Sequence, residues 1–377
     1  MGFGLLLVLF HAGAMHRGEE FRLDLRGIGF YPLVLFGAMF LAVLFSYAPS
    51  LSFRFLIYHI SAALCVLVTV SAVRSGEDLK RLVAGSSVCV LVSGLCGVYQ
   101  RIQGVEVNES YVDMKLNAGM PGRVYSFFDN PNTFAQVLIL LLPLVLALML
   151  SSRSLLGKAA AAGIFAIGVV ALGMTYSRAS WIGLVAAALC YVFLWNRRLL
   201  PLCFVAGFAA IPLLPTSILN RILTITNMSD SSTSSRFPQY EAAIRLLMRE
   251  PITGAGLGAD AVRRTVQLQS LYQGRAPFVH AHNTFLQIWL ETGLLGLGSF
   301  IASLIWAAKA TARSIKTCQD PVARHMAIGG LSSLFGVMVC GLADYIWTYP
   351  RIMFIFWFVF GLTLAAIKVC KMEGNSV

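Results

Sequence analysis

The sequence predicts an all-α, polytopic membrane protein, with about 10–12 transmembrane helices and one large periplasmic loop that contains an amphipathic helix. Three observations lead there. Of the 377 residues 58% are apolar and 12% charged, with a mean hydropathy of +0.75, far outside the range of soluble proteins. Apolar runs of about 20 residues, the length that crosses a bilayer, recur along the chain. The basic residues sit in short connections that alternate with connections on the other side, the pattern that fixes sidedness.

Taken in order, the candidate spans are residues 28–47, 53–73, 82–99, 134–151, 159–176, 180–195, 199–215, 284–306, 326–347 and 350–367. Those ten are read as helices, because a span in lipid must satisfy its own backbone hydrogen bonds. Residues 1–15 are also apolar but lack the basic start of a signal peptide, and read as a short or truncated first helix. Segments 16–26, 74–81, 152–158, 196–198, 309–324 and 368–377 carry 3, 3, 2, 2, 4 and 2 Lys or Arg, which makes them cytoplasmic. The segments around 100–133 and 216–283 then face the periplasm of a bacterial inner membrane. This gives three parts: a transmembrane bundle over 1–215, a large periplasmic loop over 216–283, and C-terminal helices with a cytoplasmic tail over 284–377.

The net charge of +12 does not indicate nucleic acid, since the basic residues are dispersed among loops and form no patch with aromatic neighbours. The eight cysteines all fall in spans or on the cytoplasmic side, so neither a disulfide framework nor a CxxC metal site is expected. The cations are also unevenly chosen. Lysine supplies six of the 16 cytoplasmic ones but only Lys115 of the 13 outward ones. Guanidinium is the better partner for phosphate or carboxylate, because its planar fork donates in pairs.

Among the outward segments, Asn117 to Thr133 holds the turn formers of a loop, with Asn130-Pro131 leading into and capping the next helix. Arg123, Asp129 and Asn132 either line a polar site or belong to a capping loop. Thr175 to Trp181 lies between two apolar runs with almost no connection. Arg178 there either points into a water-filled cavity or anchors at the headgroup level beside Trp181, since exposure to lipid costs several kcal/mol. Ser229 to Ser235 is Ser/Thr-rich, and Arg236 precedes an amphipathic stretch, Phe237–Arg249, that lies on the membrane or over a cavity. Pro251 to Gly258 follows a helix and not a strand, so it reads as a flexible turn with weak capacity for a diphosphate.

His280-Ala281-His282-Asn283 joins this polar region to the span that begins at Thr284, which places two histidines where water meets membrane. Asn283 or Thr284 caps that helix. Glu291 falls inside the membrane zone, about 10 Å beyond the helix start, and needs a partner there. It is either functional or braces an arginine from a neighbouring helix. Asp344, in the aromatic segment Asp344 to Arg351, ranks below the histidines as a site residue.

Together these features resemble the O-antigen ligase and polymerase superfamily of bacterial inner-membrane glycosyltransferases. The resemblance rests on Ser177-Arg178 with Trp181, Ser235-Arg236, the Pro251–Gly258 turn, and His282-Asn283 followed by Gly293 and Gly296, the arrangement of the ligase branch. It covers roughly residues 120 to 300. It implies metal-independent, cofactor-free transfer of a glycan from an undecaprenyl-diphosphate carrier. The acceptor is the lipid A core oligosaccharide in a ligase and a growing glycan in a polymerase. Carried over, Arg178 and Arg236 hold the diphosphate and His282 is the essential histidine. Arg123, His280, Asn283, Arg245 and Glu291 are the substrate-binding candidates, although Arg245, Arg249, Arg263, Arg264 and Arg275 also read as a solvated face.

The residues agree physically with that chemistry. Fixed arginines stabilise a leaving diphosphate more as its charge grows, and a histidine near neutral pKa can take the proton of the attacking hydroxyl. A small-anion transporter would place charged groups on broken helices at mid-membrane, where Glu291 alone is found. A passive scaffold would need neither Arg178 nor an arginine-rich outer face.

Overall fold

The computed structural model describes residues 23–107, 119–223, 234–274 and 277–374. The apolar stretch 1–15, Lys115, most of the Ser/Thr-rich stretch and Arg275 lie outside the described residues. Every regular element described is helical. The helices are α1 (Phe30–Leu44), α2 (Pro49–Ala72), α3 (Gly76–Gln103), α4 (Pro131–Ser151), α5 (Leu155–Met174), α6 (Arg178–Asn196), α7 (Leu200–Ala210) and α8 (Thr216–Leu223). They continue with α9 (Phe237–Arg249), α10 (Ala259–Leu268), α11 (Thr284–Thr317), α12 (Pro321–Cys340) and α13 (Pro350–Gly374).

Short polar residues start these helices by accepting otherwise unpaired backbone N–H groups. Ser75 and Asp78 form a reciprocal box at α3, Ser154 accepts from Gly157 at 3.0 Å, and Asp320 accepts from Val322 at 2.7 Å. Asn130 caps α4 by accepting from Asn132 at 2.8 Å, as its place before Pro131 leads one to expect.

Among the described residues, eight helical stretches are long and apolar enough to cross a membrane, where ten were expected. Two features account for the difference. Helix α1 has only 15 residues, about 22 Å at the usual rise. Residues 180–195 and 199–215 fall within one stretch, Arg178–Leu213. That stretch doubles back. The Tyr176 hydroxyl lies 3.0 Å from the Ser217 hydroxyl, which a straight run of 36 residues, about 54 Å long, could not allow. The short 3-10 turn Arg197–Leu199 is the bend.

The helix ends sort into two sets. Arg54 of α2 donates to Asp260 in the first turn of α10 at 2.7 Å, Arg123 reaches the end of α5, and Thr284 at the start of α11 donates to the carbonyl after α12 at 2.7 Å. At the opposite end Asp24 N–H donates to Ser71 at 2.9 Å, and Cys318 is disulfide-bonded to Cys370. The bond corrects the expectation of unpaired cysteines: 52 residues apart in sequence, the two stand where α11 and α13 end side by side. Helix α4, apolar on all sides, is the most enclosed, packed by α5, α6, α12 and α13. Helices α6 and α12 approach through Gly183 and Gly336, where an added Cβ on either would press the other's carbonyl. Helix α7 buries no residue and forms the rim of the bundle.

Residues 234–274 do not simply loop. The apolar face of α9 (Ala242, Ala243, Leu246) packs with Val262 and Val266 of α10, and with Leu271, Phe278 and Ala281, against Leu290 of α11. This small core holds the site segment from behind.

Candidate functional site

Residues 277–283 have no regular structure of their own, so their backbone groups need outside partners. Three side chains supply them. Gln239 of α9 accepts from Val279 N–H at 3.1 Å, Gln287 of α11 accepts from Ala281 N–H at 2.8 Å, and the Tyr240 hydroxyl donates to His282 C=O at 3.1 Å. Asn283 caps α11 by accepting from Leu286 at 3.0 Å and donates to Leu342 C=O at 3.0 Å. Both of its polar groups are thereby used in holding the turn, so Asn283 is a positioning residue and does not line the cavity. His282 itself sits at φ 45, in the left-handed region. A non-glycine residue there costs about 1–3 kcal/mol, and this network holds it in place.

The turn between α12 and α13 closes the other side. Asp344 is largely buried; its Oδ1 stands 3.6 Å from His282 Nδ1, an ion-pair distance longer than a hydrogen bond. It accepts from its neighbour Tyr345 N–H at 2.9 Å and from Gln136 of α4 at 3.1 Å. Burial alone would push this carboxyl up, but His282, His280 and Arg236 outweigh it and hold it well below the usual carboxylate range. The carboxylate favours the proton on Nδ1 of His282 and leaves Nε2 as the basic nitrogen. His280 stacks beside His282, 4.2 Å between ring centres, and its Nδ1 accepts from His282 N–H at 3.1 Å. Its proton is therefore on Nε2, and burial lowers its pKa to about 3, so it is neutral at any physiological pH.

These groups open on a cavity of about 310 Å³ lined by Arg123, Asn132, Gln136, Arg236, His280, His282, Asp344 and Tyr345 among others. Arg123 is buried and donates to Thr175 C=O at 2.6 Å and Asn132 at 2.5 Å; Arg236 donates to Ala343 C=O at 2.6 Å. Two guanidinium groups against one carboxylate leave the cavity net cationic, suited to an anion.

Several expected residues stand elsewhere. Arg178 begins α6, half-buried and engaged, but does not line the cavity. In the turn before it, Thr175 C=O accepts from Arg123. Asp129 is exposed and pairs with Arg351 at 3.4 Å, not with Arg123. Arg245 pairs with Glu241 one turn earlier at 2.6 Å on the exposed side of α9. Glu291 is fully buried behind the site, and its brace is Gln287 at 2.9 Å, not an arginine.

The Pro251–Gly258 segment makes backbone contacts with α11. It is wedged against a break in α11 at Gly293, whose φ of 66 interrupts the helix. The break frees Leu290 C=O, which accepts from Ala255 N–H at 2.7 Å, and Trp289 donates to Pro251 C=O at 2.8 Å. An added Cβ on Gly254 would strike the Glu291 and Gly293 backbone, and one on Gly293 would strike Ile252 C=O. The glycines thus permit backbone to touch backbone.

Gln136, Gln239, Gln287 and Asp344 are what the sequence reading missed or underrated. Gln136 and Gln287 sit in apolar helical runs and Gln239 on the buried side of an amphipathic helix, where an amide left without partners is costly. That was the available signal.

His280, His282 and Asp344 offer donor atoms within 4.8 Å of one another, the donor types of a three-ligand metal site. Ligands of one tetrahedral ion lie about 3.4 Å apart, so the set would have to contract, with the charge of Arg236 opposing a cation.

The family model described as O-antigen ligase matches residues 163–301, from within α5 into α11. Arg236, His280 and His282 fall inside that range; Arg123 and Asp344 join them from outside it. Across 339 residues, 85% of this chain and 74% of the relative, the sequence is 24% identical to the exopolysaccharide production protein ExoQ of Rhizobium meliloti (strain 1021). The family match takes in the segment that carries Arg236, His280 and His282, and in these comparisons this multi-pass membrane chain is similar to O-antigen ligases over that segment and to an exopolysaccharide production protein over most of its length.

Proposed function

We propose that the protein transfers a glycan from an undecaprenyl-diphosphate carrier to an acceptor sugar, on the periplasmic face of a bacterial inner membrane. The observation that carries this reading is the meeting of Arg123 and Arg236 with His282 and Asp344 in one cavity at an end of a membrane-spanning bundle. Arg123 and Arg236 hold the diphosphate. The acceptor hydroxyl attacks the anomeric carbon, the bond to the diphosphate oxygen breaks, and His282 Nε2 takes the hydroxyl proton. Asp344 steadies the imidazolium that results. No step in this scheme uses a metal. The arginines act most strongly on the charge that develops as the bond breaks, which raises the rate and not merely the affinity.

In the ligase form of the reaction the acceptor is the lipid A core oligosaccharide. A second form, a polymerase joining lipid-linked repeat units, is favoured by the similarity to a protein named for exopolysaccharide production. Transport of a small anion has less support: Glu291, the acidic residue within α11, is already held by Gln287.

The test is complementation of a strain lacking its ligase, with lipopolysaccharide read on a gel, beside polymerisation of purified lipid-linked repeat units. One of the two assays gives product with the wild type. His282→Ala lowers the rate about 10²–10⁴-fold and Arg236→Ala about 10²–10³-fold at equal membrane levels. Undiminished product from His282→Ala removes the proposed base.

A further inference from the structure

At the end of the bundle remote from the histidines, a second cavity of about 390 Å³ opens between α1, α11 and α13. It is lined by Tyr31, Trp306, Lys309, Arg313 and Lys371, with Ala302, Ile305 and Ala310 as its apolar wall. Nothing in the proposed transfer reaction uses it.

Three features give it a specific chemistry. The lining residues of α11 recur at intervals of three and four from Ala302 to Arg313 and form one stripe on the helix. Along the stripe the order is apolar, then aromatic, then basic, over 11 residues or about 16 Å. That is the order of acyl chain, interface and headgroup in one leaflet. Second, three cations from two helices converge with no acidic residue among the described lining residues, and none of the three has an ion pair or hydrogen bond within the described chain. Sidedness alone asks only that basic residues lie at this end, not that they share a cavity. Third, Trp306 is fixed: its ring covers Gly29, where an added Cβ would collide with it.

We propose that this cavity is a binding site for an anionic diacyl phospholipid, its phosphate held among Lys309, Arg313 and Lys371 and one acyl chain laid along Ile305 and Ala302. Basic pockets between transmembrane helices hold such headgroups, and each nearby Lys or Arg adds appreciably to the affinity.

The test uses the full chain in detergent, with native mass spectrometry of bound lipid after addition of dioleoyl-phosphatidylglycerol and dioleoyl-phosphatidylcholine in equal amounts. The wild type is expected to favour phosphatidylglycerol about tenfold or more. Lys309→Gln/Arg313→Gln/Lys371→Gln should bring the ratio near one. A control, Lys80→Gln/Arg81→Gln/Arg324→Gln, removes three cations outside the cavity and should leave the ratio unchanged. Equal binding of both lipids by the wild type overturns the proposal, as does an equal loss in the control. Displacement of phosphatidylglycerol by millimolar inorganic phosphate would make the site one for a free anion and overturns the lipid assignment. Unchanged elution volume and melting temperature in the triple variant separate lost binding from lost folding.

Discussion

Around the histidine cavity each arginine in the wall is already tied to the main chain, Arg123 to Thr175 C=O and Arg236 to Ala343 C=O, whereas around the second cavity Lys309, Arg313 and Lys371 stand on exposed helix faces with no partner in the described chain. The first arrangement is rigid before any ligand arrives. Fixed donors need not reorganise when charge develops, which is what a transfer reaction rewards. The second leaves long side chains free to close on a headgroup whose position varies, which suits lipid binding but no bond-breaking step. Both ends are basic, and the difference lies in how the charge is held.

The strongest way to break this contrast is at Arg236. If rigidity of the fork matters, Arg236→Lys keeps the charge yet lowers the transfer rate about 10–100-fold, with less effect on the apparent affinity for donor. A rate within twofold of wild type would mean that charge alone suffices there.

The backbone that supports the rigid end comes next. Gly293→Ala places a Cβ against Ile252 C=O at a φ of 66 and should cost about 3 kcal/mol, read as a large fall in melting temperature and membrane level. Gly207→Ala on α7, with no atom near its added Cβ, should change stability by less than about 0.5 kcal/mol. Equal effects at the two glycines would contradict the close backbone contact described above.

The pH dependence of stability sharpens the picture at His280. Its folded pKa of about 3 lies below the ordinary value of about 6.5, so between those values the unfolded chain binds the extra proton. Stability therefore falls as pH drops through this window. His280→Asn, whose side-chain oxygen can still accept from His282 N–H, should melt with less loss between pH 7 and pH 5 than the wild type. Asp344, held low, adds a further loss only below its own unfolded value, about pH 4. The smallest effect is expected at Arg245→Ala. Its exposed pair with Glu241 contributes at most about 0.5 kcal/mol, and transfer rates should stay within twofold.

How much of this was legible beforehand differs by residue. The membrane class, the α4 cap at Asn130, the α9 helix over Phe237–Arg249 and the candidacy of His280 and His282 follow from hydropathy, helical period and local turn chemistry, whereas the candidacy of Arg236 follows from the family resemblance. Glu291 was recognised as needing a partner, but the partner was misjudged, since Gln287 one turn earlier reaches it more easily than any neighbouring helix. Arg178 ranks above Arg123 because it matches a diphosphate-holding arginine of the resembled family and stands conspicuously between two spans in one dimension. In three, Arg123 lines the cavity and donates to the carbonyl of Thr175, while Arg178 is not among the cavity's lining residues. The Pro251–Gly258 run looked like a loose turn because glycine permits motion as readily as it permits close contact.

Readable from the residues alone is therefore what depends on transfer from water to lipid and on neighbours within about one helical turn: the spans, the caps, the amphipathic face of α9 and the polar segment where chemistry could occur. Which groups from distant segments share a cavity depends on how the helices pack. Asp344 meets His282 from 62 residues away, Gln136 meets Asp344 across 208, and Gly254 meets the break at Gly293. Helix packing, and not local preference, sets those distances, because the order in which apolar helices associate in a bilayer rests on shape and close contact among many similar surfaces.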